Sequence, residues 1–254
     1  MSDEVLVDVT DGIMTVTLNR PKAKNAANRA VAVGVAAAMD ELDSNDSIHV
    51  AIITGAGGTF CAGMDLKAFV SGEMPMIEGR GFAGLTESPP RKPLIGAIEG
   101  YALAGGLELA ISCDLLVTAD DAKFGIPEVK RGLAAAAGGL IKLPRQIPAR
   151  VAMELAITGE FITAQRAYEI GLVNQVVPSG TALEAAKALA AKIVANGPLA
   201  VAISKQVILE SADWSDEEMW KKQQDIVMPV FGSEDAMEGS IAFAEKRAPN
   251  WKGK

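Results

Sequence analysis

Between Tyr101 and Cys113 the chain carries one charged side chain, Glu108, in the run Tyr-Ala-Leu-Ala-Gly-Gly-Leu-Glu-Leu-Ala-Ile-Ser-Cys. A carboxylate among apolar residues is costly unless it is hydrogen-bonded or its pKa is raised, and both conditions are typical of catalytic acids and bases. Gly105 and Gly106 precede it, where a strand and a tight turn are expected to open into a helix. A second glycine-bearing turn, Phe60-Cys-Ala-Gly-Met-Asp-Leu-Lys67, follows the aliphatic run Val50 to Thr54 and the loop Gly55-Ala-Gly-Gly-Thr59. Gly63 lets the backbone approach a ligand closely. Two N–H donors from separate turns are what a carbonyl oxygen needs as it gains negative charge. Glu128 is a second carboxylate, after Pro127 and ahead of Lys130 and Arg131. Alone it reads as the acidic first turn of an exposed helix, which the helix dipole favours. Joined to Glu108 and the two turns it reads as half of an acid–base pair.

The elements that must position these residues follow from periodicity. Val5 to Val9 and Ile13 to Leu18 alternate apolar with polar around Asp11-Gly12, a hairpin signal. Val31, Val35, Met39 and Leu42 recur at helical spacing. Strand runs at Val50 to Thr54, Leu94 to Ile98 and Leu115 to Thr118 alternate with helical stretches, the pattern of an α/β fold. After Gly139 the chain reads as mostly helical, with one apolar stripe at Leu183, Ala186, Ala190 and Ile193 and another at Leu199, Ile203 and Val207. The expected division is a catalytic core over 1–195 and a helical region over 196–254.

Composition closes several other routes. The 254 residues carry a formal charge of -8, which argues against a nucleic-acid or acidic-membrane surface. His49 is the single histidine, and Cys61 and Cys113 are the two cysteines, too few for a Ser-His-Asp or Cys-His centre or for an ordinary zinc site. We therefore expect no metal. The glycine loop at 55–59 departs from a dinucleotide fingerprint at Phe60, so a nicotinamide cofactor is a poor fit. No long apolar run suggests a membrane span, and the opening Met1-Ser-Asp-Glu lacks the basic region of a targeting peptide, so the expected location is cytoplasmic.

Phe60-Cys-Ala-Gly-Met-Asp-Leu66 and Gly100 through Asp114 resemble the two oxyanion-hole motifs of the crotonase (enoyl-CoA hydratase/isomerase) superfamily, in the right order. Asn19-Arg20-Pro21 with Asn25-Ala26 is similar to the family's N-terminal signature, Phe124 to Glu128 to its second catalytic segment, and Glu245-Lys-Arg247 to its close. The resemblance implies a ββα spiral core with C-terminal helices that pack a homotrimer or a dimer of trimers. It implies an acyl-CoA thioester as substrate, with no cofactor beyond the coenzyme A that the substrate carries. It makes the N–H groups of Ala62 and Gly105 the oxyanion donors and Glu108 and Glu128 the hydratase carboxylates. Met64, Asp65, Leu66 and Lys67 would help hold coenzyme A, and Lys246 would reach that of a neighbouring subunit. Both carboxylates being present favours addition of water to a trans-2-enoyl-CoA. Gly81 to Glu87 and the tail from Glu234 resemble the carnitinyl-CoA dehydratase branch, which stays open beside isomerisation and non-catalytic acyl-CoA binding. Ala104 and Ala136 stand where many hydratases have glycine, and the stretch from Phe69 to Lys92, with Phe82 and Leu85, is expected to be mobile and to border the acyl pocket.

Overall fold

The computed structural model describes residues 3–254. Its first strands, β1 (Val5–Thr10) and β2 (Ile13–Leu18), form the expected antiparallel hairpin. Met14, Val16 and Leu18 turn inward and are fully buried, as strict alternation requires. Helix α1 (Arg29–Ser44) starts where the Asn28 side chain accepts the Val31 N–H, and it buries the predicted stripe of Val31, Val35, Met39 and Leu42. Strand β3 (Val50–Gly55) pairs parallel with β2.

Three similar passages follow, and they place the site. After β3, Cys61 makes an isolated bridge to Ala102, and α2 (Leu66–Val70) begins beyond it. A small hairpin comes next, β4 (Met76–Ile77) with β5 (Gly81–Phe82). Then β6 (Leu94–Ile98) leads to β7 (Tyr101–Leu103) and α3 (Gly105–Ala110). Next, β8 (Leu115–Ala119) leads to β9 (Lys123–Gly125) and a short 3-10 turn at Pro127–Arg131. Helices α4 (Gly139–Gln146) and α5 (Ala149–Thr158) then cross to β10 (Ile162–Thr163), α6 (Ala164–Glu169) and β11 (Gln175–Val177).

The main sheet runs β1-β2-β3-β6-β8-β11, parallel from β2 onward, and a second sheet runs β10-β9-β7. Because both faces of the main sheet are covered, its central strands read as unbroken apolar runs, with Val50 through Ile53 all buried. One face packs against α1 and α3, including Met39, Leu42 and Leu107; the other takes Ala186 and Ala190 from α7 (Ala182–Val194). The last helices, α8 (Pro198–Glu210), α9 (Met219–Phe231) and α10 (Glu234–Glu245), lie outside this core, and α8 and α9 bury no residue fully. Lys205 of α8 anchors them to the sheet by donating to Asp114 at 2.7 Å. Trp251 donates to the Ala195 carbonyl at 2.9 Å and lies over Gly239, tying the tail to the end of α7. Among the described residues no single helix is long and apolar enough to cross a membrane.

Candidate active site

The second sheet sets three chain turns side by side. Cys61 exchanges hydrogen bonds with β7 through Tyr101 O and the Leu103 N–H, and the Ala104 N–H donates to Gly125 of β9. The residues just past these three strands therefore gather at one edge: Gly63-Met64, Ala104-Gly105 and Pro127-Glu128. The backbones there are in contact. A Cβ on Gly106 would stand 2.0 Å from the Cys61 carbonyl oxygen, and one on Gly63, whose φ is +104°, would stand 2.9 Å from Ala104 Cβ and 3.3 Å from the Gly105 nitrogen. Only glycine permits that approach.

This geometry corrects one expected oxyanion donor. The Ala62 N–H is already committed, donating to the Lys24 carbonyl at 3.0 Å. Ala27 instead bridges Met64 by donating to Gly63 O and accepting from the Asp65 N–H, which turns the Met64 N–H outward. Among the described residues neither the Met64 N–H nor the Gly105 N–H meets an acceptor. Gly105 opens α3, so its N–H has no intrahelical partner by construction. Ala104 holds φ 53° and ψ -128°, a conformation strained for any residue with a Cβ, and it aims that N–H.

The two glutamates sit differently. Glu108 lies in the first turn of α3 and is 3% exposed, and its Oε1 accepts the Ala137 N–H at 2.7 Å and the Gly139 N–H at 2.8 Å. Burial pushes its pKa up, while these two donors and the Lys142 ammonium pull it back. Gly139 opens α4, where helix N–H groups favour negative charge, and Ala137 lies in the loop just before it. Glu128 receives no donor from another helix, and among the described residues its Oε2 is buried without a partner. Desolvation, with the nearby Glu108 charge adding to it, raises its pKa to about 7. Two carboxyls with environments that separate their protonation are the mark of an acid and a base at one centre.

Both face a cavity of about 630 Å³, whose wall also includes Ala62, Met64, Leu66 and Gly105. Asp65 is not on that wall: its carboxylate pairs with Arg20 at 2.8 Å and caps α2 through the Lys67 and Ala68 N–H groups. Lys67 lies on α2 outside the wall, and Lys246 caps the C-terminus of α10 in the left-handed region, exposed and away from the cavity. Ala136 lies on the wall. The 69–92 segment is more ordered than its mixed sequence suggested, because β4 and β5 pair and the Thr86 hydroxyl accepts the Phe82 N–H at 2.9 Å. Phe69, Met74, Met76 and Phe82 line the cavity, whereas Leu85 is wholly buried in the core and does not. The Phe82 ring rests on the oxyanion turn, since a Cβ on Gly105 would meet its Cζ at 2.5 Å.

Sequence reasoning missed Lys24, Tyr101 and Phe161. The Lys24 ammonium stands 5.1 Å from the centre of the Tyr101 ring at the cavity wall. Lys24 adjoins Asn25, whose buried amide donates to Ala56 O and Thr59 O, so the N-terminal signature was a signal for this wall.

A double-sheet spiral with two outward N–H groups and two unequal carboxyls over one cavity suits an enzyme that stabilises negative charge on a carbonyl oxygen while moving protons beside it. The chain matches the model of the enoyl-CoA hydratase/isomerase family over residues 8–254 and belongs to that family. It is 39% identical, over the full length of both chains, to a carnitinyl-CoA dehydratase of Proteus mirabilis. It is 42% identical to an enoyl-CoA hydratase of Mycobacterium tuberculosis, covering 99% of this chain and 97% of the relative. The crystal structure of another enoyl-CoA hydratase of that organism superposes over 100% of both chains with a TM-score of 0.98 at 60% identity. The crotonase fold expected from the motifs is therefore the fold of this chain.

Proposed function

We propose that the protein adds water reversibly across the 2,3 double bond of a trans-2-enoyl-CoA. The observation that carries this reading is the pairing of two free N–H donors with two glutamates of unequal protonation around one apolar cavity. The thioester oxygen would accept from Met64 and Gly105, which hold the negative charge that develops as C3 is attacked. Glu108, its Oε1 held by Ala137 and Gly139, accepts a proton from the attacking water, and Glu128, protonated near neutrality, delivers one to C2. Dehydration runs the same transfers backward. Neither a metal nor a redox group enters these steps. Lys246 is assigned to the coenzyme A of a neighbouring subunit, and the exposed Trp220, Phe231 and Phe243 to the faces of a trimer, single or stacked in pairs. The proposed setting is the cytoplasm.

Purified protein mixed with short straight-chain trans-2-enoyl-CoAs should remove the enoyl thioester absorbance. Crotonobetainyl-CoA belongs in the same panel, because a relative at 39% identity is a carnitinyl-CoA dehydratase. Faster turnover of that cationic substrate would move the assignment to the dehydratase reading. Binding of the thioesters with no enzyme-dependent change in any of them would leave a binding protein.

A further inference from the structure

Lys142 is a half-buried lysine outside the cavity wall whose partners lead back to the site from three directions. It sits on α4, one turn past Gly139, whose N–H holds the Glu108 carboxylate. Its Nζ donates to Ser112 Oγ at 2.8 Å, and that hydroxyl donates in turn to the backbone carbonyl of Glu108 at 2.8 Å. Its Nζ also donates to the Thr86 carbonyl at 2.6 Å, and Thr86 holds the N–H of Phe82, whose ring rests on Gly105. The lysine stem lies along Gly138, where a Cβ would stand 3.3 Å from Cε. One ammonium thus joins the helix carrying the base, the helix start that binds its carboxylate, and the loop that backs the oxyanion turn.

We propose that Lys142 is a positioning residue for the reaction, its ammonium keeping the Glu108 carboxylate in register with its Ala137 and Gly139 donors and with the oxyanion turn. The inference rests on the hydratase reading of Glu108. An ammonium is costly to bury, and a chain seeking only a mechanical tie between Thr86 and Ser112 could use a neutral donor. The charged and titratable groups around it are few. From α3 and its end come Glu108 and Cys113, from the 81–92 segment Glu87, and from the 3-10 turn Glu128, which faces Glu108. Arg145 of the same helix points to Asp213 at 3.6 Å. Burial keeps the Cys113 thiol protonated, so Glu108 and Glu87 are the anions that Lys142 faces. The attraction acts in both directions: it draws the Glu108 pKa down and the Lys142 pKa up against the desolvation of each.

The test compares Lys142→Met, Lys142→Gln and Lys142→Arg with wild type. The Glu108 carboxyl is titrated by infrared difference spectroscopy against Glu108→Gln, and the pH profile of kcat/KM for an enoyl-CoA is measured alongside. Losing aligned hydrogen-bond donors or a nearby positive charge raises the pKa of a buried carboxylate. Met and Gln should each move the Glu108 midpoint and the acid limb upward by more than the error of the titration, with KM changed less than about threefold. Gln keeps a donor for Thr86 and Ser112, so it isolates the charge and serves if the Met variant does not fold. Arg should leave the midpoint near wild type while lowering kcat, because its planar fork cannot reproduce both bonds. A midpoint unchanged in folded Met or Gln variants would overturn the proposal and make Lys142 a structural tie. The infrared midpoint is read without turnover, so absence of hydration by wild type would sink the hydratase reading while the Lys142 result still stood.

Discussion

Glu108 and Glu128 border one cavity, yet the regions that carry them treat the same side chain in opposite ways. The Glu108 region has backbone to spare: a helix start at Gly139 and the loop at Ala137 turn their N–H groups onto its carboxylate. The Glu128 region is a single 3-10 turn closed by Gly132, and it leaves one carboxyl oxygen buried and bare. Burial raises the pKa of both, and the supply of donors distinguishes the proposed base from the proposed acid.

The broadest way to break that comparison is to remove each carboxylate in turn. Glu108→Gln and Glu128→Gln should each lower hydration by about a hundredfold or more with little change in ligand affinity, measured by turnover and by titration with a non-reacting acyl-CoA. Near-normal turnover in either variant removes that residue from the mechanism.

The pH profile sharpens it. The active pair holds one proton, so kcat/KM should fall about tenfold per unit as pH rises above about 7, where Glu128 loses its proton. Hydration and dehydration use the same singly protonated pair and must share that limb. Glu128→Gln, assayed on its residual activity, should lose the limb; its persistence would assign it to another group.

The wall against the oxyanion turn gives a smaller effect. Phe82→Ala should change the ratio of specificity constants for long and short enoyl-CoAs by about tenfold, since each methylene in an apolar pocket is worth roughly 1–3 kcal/mol. Leu85→Ala is the contrast: it should leave that ratio alone and lower stability by about 2–5 kcal/mol, because Leu85 is fully buried in the core. A changed ratio in Leu85→Ala would redraw the wall.

The smallest effect is on folding. With its pKa raised from 4.5 to about 7 in the folded state, Glu128 contributes stability that is complete below 4.5 and lost as pH rises through 7. Glu128→Gln should match wild type in thermal midpoint at pH 4 and exceed it by a few degrees at pH 8. Equal midpoints at pH 8 would show that the ionised carboxylate finds a partner in solution.

Much of the frame was legible in the chain. The β1–β2 hairpin and the α1 stripe came from periodicity, and the strands near 50–54, 94–98 and 115–118 from unbroken apolar runs, both of which report local geometry and burial directly. The glycine turns and the lone carboxylate of the 101–113 run also stood out, because positive φ and close backbone approach restrict residue type at the position itself. The second sheet did not. Its strands are two or three residues long, too short for a period to show. Which N–H is free depends on Lys24, whose carbonyl accepts from the Ala62 N–H across a long sequence separation, while the Met64 N–H meets no acceptor among the described residues. The unequal surroundings of Glu108 and Glu128 were equally invisible, since they depend on Gly139 and Lys142 arriving from α4 and Ala137 from the loop before it. Residue type and spacing determined that two carboxyls and two glycine turns would be present; only long-range packing decided which hydrogen-bond donors each of them met.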